Sequence, residues 1–390
     1  MTDIEKLKAA LAKIAEVASA AVSDDACPPT KTEKHNLNHR PLTGKELNAR
    51  ASEFDRDGRH YGLQISVDVT SSSAPEPKTT IYRDGDRWRI EFDIHRATTT
   101  QRTGLTVGTL RRPARDERIP YQLDGFIPVD AQVRTRPLIE RIVRRQVRLR
   151  GPKGDYTPLV VFPGDARHLL TDSSWPWNLT GRVTTSDGNS GSGVLIGDRL
   201  MLTAHHMRPS ASINRGSWWM TFSPHFDGAT NPNAPFGSSN VSDLRHYDAD
   251  SDDDYVVGHD FMLCRLFEPL GQRLGFLGAT TFNDDWRGMQ VWANIGYPDD
   301  VGGGTRPAVQ LNQSMEDDYE DDDGQIIETE ASLNHGNSGG PFFSWFDDGH
   351  VRLCGVVSSG GTFGDDRDNA LASGVDMINL INWGRSNWPA

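Results

Sequence analysis

Residues 333–343, LNHGNSGGPFF, set one hydroxyl, that of Ser338, between Asn337 and a pair of glycines, and close the run with Pro341. Glycine opens backbone conformations denied to other residues and lets a second molecule approach the main chain. Gly, Asn, Ser and Pro are also ordinary turn punctuation, so the flanks decide the reading. Upstream, GQIIETEASL (324–333) carries β-branched residues among polar ones; downstream, PFFSWF (341–346) and VRLCGVVSSGG (351–361) read as further strands. Ser338 therefore sits on a tight loop between strands, where a rigid scaffold can aim it.

A serine hydroxyl is a poor nucleophile at neutral pH until a base takes its proton, and the usual base is a histidine oriented by a carboxylate. Two segments offer such partners. RLMLTAHHM (199–207) ends an apolar strand at His205 and His206, and GHDFMLCRL (258–266) starts another at Asp260. Each is weak singly, because histidines at strand ends are commonly structural and His-Asp is a common dipeptide. Together they place His, Asp and Ser in that order, each at its own strand end.

The same alternation continues around them. SGSGVLIGDRLMLTAHHM (190–207), SWWMTFSPHF (217–226), MQVWANIGYP (289–298) and LCGVVSSGG (353–361) are short strands separated by Gly, Asn, Asp and Pro, and SGVDMINLINWGRSNW (373–388) has a helical pattern. Many short strands with turn signals between them predict a mainly β domain, a sandwich or barrel, closed by a C-terminal helix.

The motifs resemble those of the chymotrypsin-type serine proteases, in which TAAHC, DIMLI and GDSGGP are the usual forms of TAHHM, DFMLC and GNSGGP here. The likeness is to the glutamyl endopeptidase branch, through VVFPGDARHLLTD (160–172), WWMTFSPHFDG followed by APFGS (218–238), IGYPDD (295–300), and Asn337 rather than Asp before the serine. It covers roughly residues 160–390. It implies two six-stranded antiparallel β-barrels and a serine endopeptidase working through an acyl-enzyme. Ser338 would be the nucleophile, His206 the base and acid, and Asp260 the orienting carboxylate. The N–H groups of Gly336 and Ser338 would form the oxyanion hole, and His205 would be structural.

The same resemblance makes Ser358, Ser359 and Gly360 the strand that binds substrate backbone, and Ser332, Leu333, Val357 and Gly374 the lining of the selectivity pocket. Glutamate-selective members carry polar groups where this chain has Leu333 and Val357. An unpaired buried carboxylate costs several kcal/mol, so the expectation is a glutamyl-type fold without glutamyl selectivity. Asp376 leaves a preference for basic residues open. Two other classes compete with the endopeptidase: a catalytically inactive peptide-binding module, and an esterase using the same triad.

Composition narrows the remaining classes. The chain has 390 residues, 36% hydrophobic and 24% charged, which is that of a soluble globular protein with room for more than one domain. No apolar run is long enough for a transmembrane helix. Three cysteines, Cys27, Cys264 and Cys354, do not suggest a disulfide framework. With no visible signal peptide the default compartment is the cytoplasm, leaderless secretion being the alternative. His and Cys lack a metal-binding spacing, and the chemistry needs neither metal nor cofactor. The acidic stretches YDADSDDDY (247–255) and MEDDYEDDDG (315–324) read as solvated loops, without the ligand spacing of a calcium loop.

Charge divides the chain. Residues 165–390 hold 13 Arg, no Lys and 32 Asp plus Glu, a net of −19, against +6 for residues 1–164. The basic segment VRTRPLIERIVRRQVRLRGPKG (133–154) lacks interleaved aromatics, and the acidic remainder repels phosphate, so nucleic acid is not expected as a partner. Residues 1–159 are expected to be a propeptide-like or regulatory region able to dock on the acidic protease domain, 160–390. Within them the pattern predicts a helix over 1–28, a polar link over 29–58, a strand at 63–70, a hairpin turning at Asp84-Gly85 and a basic helix over 137–150. The trypsin switch, in which a new amino terminus pairs with an aspartate before the serine, cannot operate in that form at the uncharged Asn337.

Overall fold

Alternation of wholly buried and partly exposed residues over Thr180–Thr185 (below, β7) marks one wall of a closed sheet, and the pairing bears this out. The structure, a computed structural model, describes residues 39–58, 79–84, 87–92, 102–111, 121–142, 159–162, 164–230, 233–247, 257–321, 324–363 and 366–388. The elements expected over 1–28 and 63–70, and most of the acidic stretch 247–255, lie outside them.

Elements upstream of residue 160 are helix α1 (Gly44–Phe54) and strands β1 (Thr79–Asp84), β2 (Arg87–Phe92), β3 (Thr106–Leu110), β4 (Gln122–Leu123) and β5 (Ile139–Glu140). β6 (His168–Leu170) follows. The first barrel is built from β7, β8 (Ser190–Gly197), β9 (Leu200–Thr203), β10 (Met220–Pro224), β11 (Ser239–Tyr247) and β12 (Met262–Leu266), with the short helix α2 (Ser210–Asn214) after β9. Its order is β10-β7-β8-β9-β12-β11, and β10 pairs again with β11, which closes the ring. Val183, Val194, Leu202, Met220, Phe222, Leu244 and Leu263 have no exposed surface and fill it.

After α3 (Leu270–Leu274) comes the second sheet: β13 (Gly278–Thr280), β14 (Trp292–Gly296), β15 (Ala308–Gln313), β16 (Asp318–Asp321), β17 (Gly324–Thr329), β18 (Pro341–Trp345), β19 (Val351–Phe363) and β20 (Asp366–Ser373). The path β17-β20-β19-β18-β14-β15 returns on itself, because the chain leaving β15 becomes β16 and pairs with β17. Trp292, Ile327, Leu333, Phe342, Phe346, Val357 and Leu371 form its interior. Helix α4 (Val375–Asn387) ends the fold as the C-terminal pattern predicts.

Several upstream expectations change. Residues 44–54, read as a link, form α1 because Thr43 and Glu46 make a capping box that satisfies the first N–H groups. Ile139–Glu140, read as the start of a basic helix, instead pairs with Leu170 and Leu169 of β6, tertiary pairing overriding local helical pattern. The β1–β2 register sets Ile81 opposite Ile90 and Asp84 opposite Arg87, so residues 85–86, not Asp84-Gly85, lie between the strands. The acidic stretch over 315–324 is half of a hairpin, β16–β17, with Arg287 against Asp317 and Asp318 at 2.6 and 2.8 Å.

Apart from the separate β1–β2 hairpin, described segments of residues 1–159 are interleaved with both barrels. β3 adds in parallel to β11, β4 pairs with β13, and β5 with β6. Leu42, Tyr121, Leu123, Ala131 and Val133 are buried in the same cluster as the first barrel's interior. Ion pairs across the junction run in both directions, Arg352 to Asp124 and Arg306 to Glu140 as well as His39 to Asp347. Strand pairing and apolar burial, rather than charge of one sign, join this region to the rest.

Candidate active site

The four residues of β9 are all buried; the chain then turns through a 3₁₀ turn, His205–Met207, at the barrel's edge. β12 runs antiparallel to β9 with Met262 opposite Thr203. That register carries Asp260, two residues before Met262, alongside the turn that follows Thr203. The result is a close pair. Asp260 has 1% exposure; its Oδ1 accepts from the His206 backbone N–H at 2.8 Å and its Oδ2 from His206 Nδ1–H at 2.7 Å.

A third donor comes from the second barrel. Pairing of β19 with β20 shifts between Val357 and Ser359, so Ser358 is an extra residue at a bulge, and its hydroxyl donates to Asp260 Oδ2 at 2.6 Å. Bulges re-aim side chains in this way. Burial alone would lower the His206 pKa; the charge of Asp260 and the hydrogen bond to it outweigh burial and raise it. The neighbouring His205 behaves oppositely. Its ring lies 4.3 Å from that of His246, and burial first, then the His246 imidazole, push its pKa down to about 4.

Ser338 lies on the loop between β17 and β18, pressed against the first barrel. Its C=O accepts from Ser192 N–H at 2.8 Å, and a Cβ on Gly339 would lie 2.2 Å from Thr203 Oγ1 and 2.8 Å from Ala204 N. Gly336 has a φ of +94°, and a Cβ there would lie 2.1 Å from Tyr297 O, so only glycine fits. Asn337 is 1% exposed; its Oδ1 accepts from Asn334 N–H at 3.1 Å and its amide NH₂ donates to Asn294 Oδ1 at 3.4 Å. The position therefore uses a neutral amide network.

Buried backbone groups are nearly always paired, which makes the exceptions in this loop informative. His335 C=O accepts from Asp299 N–H at 2.8 Å, and Asn337 C=O from Gly340 N–H at 2.7 Å. Asn337 N–H donates to Asn334 C=O, and Gly339 N–H to Val357 C=O. In a trans peptide N–H and C=O point in opposite directions, so fixing the His335 and Asn337 carbonyls turns the Gly336 and Ser338 N–H groups the other way. Among the described residues these two N–H groups have no acceptor.

The expected substrate-contacting residues divide into two sets. Ser359 and Gly360 lie on β19 beyond its pairing with β18, which ends at Val356, so the β18-side edge there carries no strand among the described residues. Leu333 and Val357 have no exposed surface and belong to the second barrel's interior. Ser332 Oγ accepts from Phe162 N–H at 3.1 Å, and Leu333 N–H donates to Val160 C=O at 2.9 Å.

Gly374 is not brought to this group. Ser373 lies opposite Gly355, four positions down the ladder from the Gly360–Asn369 pair, and a Cβ on Gly374 would meet Gln325. Asn369, opposite Gly360, lies beside the residues that the resemblance had grouped with Gly374. Its side chain accepts from Val160 N–H and donates to the Val160 and Ala331 carbonyls, each at 2.8 Å. Asp376 is buried and accepts from His259 Nε2 at 3.0 Å.

Sequence reading also missed Ser192, a strand residue without exposed surface whose hydroxyl donates to Gly336 C=O at 2.7 Å and accepts from Tyr297 N–H at 3.0 Å. The glycines on either side of it, Gly191 and Gly193, were the available signal. Two groupings elsewhere, His39/Asp347/Asp348 and Asp124/Asp348/His350, bring ligand atoms within 4.8 Å of one another. Both share Asp348, whose carboxylate Arg352 already holds at 2.7 and 2.9 Å, and neither includes the nucleophile loop.

Residues 191–352 match the family model described as the trypsin-like peptidase domain. That stretch holds His206, Asp260 and Ser338 together, and marks this part of the chain as a trypsin-like peptidase domain. The chain is similar to a solved Glu endopeptidase in complex with MPD, at 19% identity and a TM-score of 0.49, over 58% of this chain and 100% of that one. It is also similar to the protease Anisep from Arthrobacter nicotinovorans, at 17% identity and a TM-score of 0.42, over 54% of this chain and 97% of that one.

Proposed function

We propose that the chain is a serine endopeptidase in which Ser338 attacks the scissile carbonyl, His206 moves the proton and Asp260 orients and stabilises the imidazolium. With Nδ1 committed to Asp260, proton exchange falls to Nε2: it takes the Ser338 proton during attack and returns it to the leaving amine. The acyl-enzyme is then hydrolysed by water activated by the same imidazole. The N–H groups of Gly336 and Ser338 receive the developing oxyanion, each such donor being worth on the order of 3 kcal/mol. The observation that carries this reading is that, over residues 333–340, these two N–H groups are the ones with no acceptor among the described residues.

The edge at Ser359 and Gly360, unpaired on the β18 side among the described residues, supports an extended peptide adding as a strand. Apolar Leu333 and Val357 provide no partner for an acidic side chain, and Asp376 is engaged by His259, so the reading is a preference for apolar or small residues rather than acidic or basic ones. The upstream region belongs to the working enzyme in this reading. Its apolar residues share the first barrel's core, so a cut before Val160 leaves two segments held together.

The test is labelling of the full-length chain with a fluorophosphonate, followed by mapping of the label and of the amino terminus by mass spectrometry. Label on Ser338 in the uncut chain is the expected result. Label only after cleavage near Val160 would make the chain a zymogen, and no label in either form would overturn the enzymatic reading.

A further inference from the structure

We propose that Ser192 is a positioning residue for this reaction: it fixes the nucleophile loop in the form that turns the Gly336 and Ser338 N–H groups toward substrate. The inference rests on the reading of Ser338 as nucleophile and adds a residue to it. Ser192 sits on β8, in the barrel that carries His206, yet it holds three points of the other barrel. Its N–H donates to Ser338 C=O, its hydroxyl donates to Gly336 C=O, and that hydroxyl accepts from Tyr297 N–H. Its own carbonyl accepts from Thr203 Oγ1 at 2.7 Å, three residues before His206.

The other peptide groups of the loop are held by atoms of the second barrel: Asp299, Asn334, Gly340 and Val357. Among the described residues, Ser192 supplies the hydrogen bonds that tie the loop to the side of the molecule that supplies the base. Loss of its hydroxyl leaves Gly336 C=O and Tyr297 N–H without partners in a seam with no room for replacement. A Cβ on Gly296 would already lie 3.1 Å from Ser192 Oγ and 2.4 Å from Asn337 Nδ2. The cheapest relief is rotation of the 336–337 peptide, and glycine at 336 is the residue least able to resist it. The Gly336 N–H lies on the preceding 335–336 peptide, so it is displaced through the shift of the Gly336 Cα that this rotation entails, and the Ser338 N–H through Asn337 on the other side.

The test compares the full-length parent with Ser192→Ala and with Ser192→Cys, which keeps the size of the side chain but donates weakly. Rates are normalised to sites titrated by the fluorophosphonate. Ser192→Ala should lower kcat at least about tenfold with little change in KM, short of the roughly 100- to 1000-fold that follows loss of a donor. It should weaken a peptide boronate, which forms a tetrahedral adduct, by about the same factor as kcat. Ser192→Cys should fall between.

A purely structural role predicts a lower Tm with kcat per site unchanged, the behaviour expected of Ile381→Val in α4. If either Ser192 variant that folds keeps the parent's kcat and boronate affinity, the inference is overturned. Should the parent resist labelling, or Ser338→Ala still turn over, the failure lies in the reading of the site and not in the role of Ser192.

Discussion

The first barrel holds the charged pair of the site, His206 and Asp260, and the second presents Ser338 on a loop ordered through its backbone. On the His206 side a carboxylate with almost no exposed surface is met by donors from both barrels, and charge governs what the imidazole does. On the Ser338 side the order comes from neutral groups: Asn337, Asn294, the Ser192 hydroxyl and the peptide bonds around Gly336. One half is therefore open to a change of functional group or of pH, whereas the other answers to geometry. A regulatory input through charge would have to act on the first half.

The most severe way to break the pairing of the two halves is to remove the group both serve. Ser338→Ala should keep the parent's circular dichroism and lower kcat by about a millionfold, as loss of a triad nucleophile does. Residual turnover near the parent's rate in a peptide hydrolysis assay would remove Ser338 from the mechanism. Asp260→Asn attacks only the charged half. Its kcat should drop by about 10⁴-fold because the imidazole is held in the wrong tautomer. The pH profile sharpens the point: the parent's acid limb should lie above the 6.5 of an ordinary histidine, since Asp260 raises the His206 pKa, and activity should grow as pH rises through it. In Asp260→Asn the limb should move down, to be read from kcat/KM against pH.

The charged half was the more legible from sequence. His206, Asp260 and Ser338 stand at strand ends whose apolar runs mark them, and the strand pattern with its final helix was readable throughout 160–390. What escaped depends on pairing between distant segments. The placement of Asn369 rather than Gly374 opposite Gly360 follows from the register of β19 on β20, which the bulge at Ser358 shifts. Ser192 looks like one more strand residue until the second barrel is placed against it. Upstream, β3 and β5 are made by partners more than twenty residues away in sequence, which local pattern cannot supply.

The bulge at Ser358 allows a milder test of how the halves are joined. Ser358→Ala removes the donor that the second barrel supplies to Asp260 and leaves both contacts with His206, so the carboxylate keeps its orientation. A fall in kcat of roughly tenfold or less is expected, since one hydrogen bond to a charged group is worth about 1.5–3 kcal/mol and part of that is recovered by relaxation. A loss as large as that of Asp260→Asn would mean that the second barrel, through β19, sets the position of Asp260.

The smallest effect on activity is expected where two neighbours differ most. His205 and His206 are adjacent, but one faces His246 and the other Asp260, and their pKa values move in opposite directions. His205, at about 4 when folded, is neutral wherever the enzyme works, and its Nε2 is buried without a hydrogen-bond partner among the described residues. His205→Phe should therefore leave kcat within about twofold of the parent. Its effect should appear in stability. The unfolded chain takes up this proton near 6.5 and the folded chain near 4, so stability is lost as pH falls from 6.5 toward 4 and is unaffected above that window. His225, also held near 4 by burial, acts in the same range. Removing the His205 imidazole should flatten, without abolishing, the decline of Tm between pH 6.5 and 4. His206 contributes with the opposite sign: its raised pKa stabilises the fold below 6.5, and that contribution fades as pH rises through the folded value. An unchanged acid decline in His205→Phe would assign the loss to other groups, and a collapse of kcat would mean that the register of the two histidines is reversed.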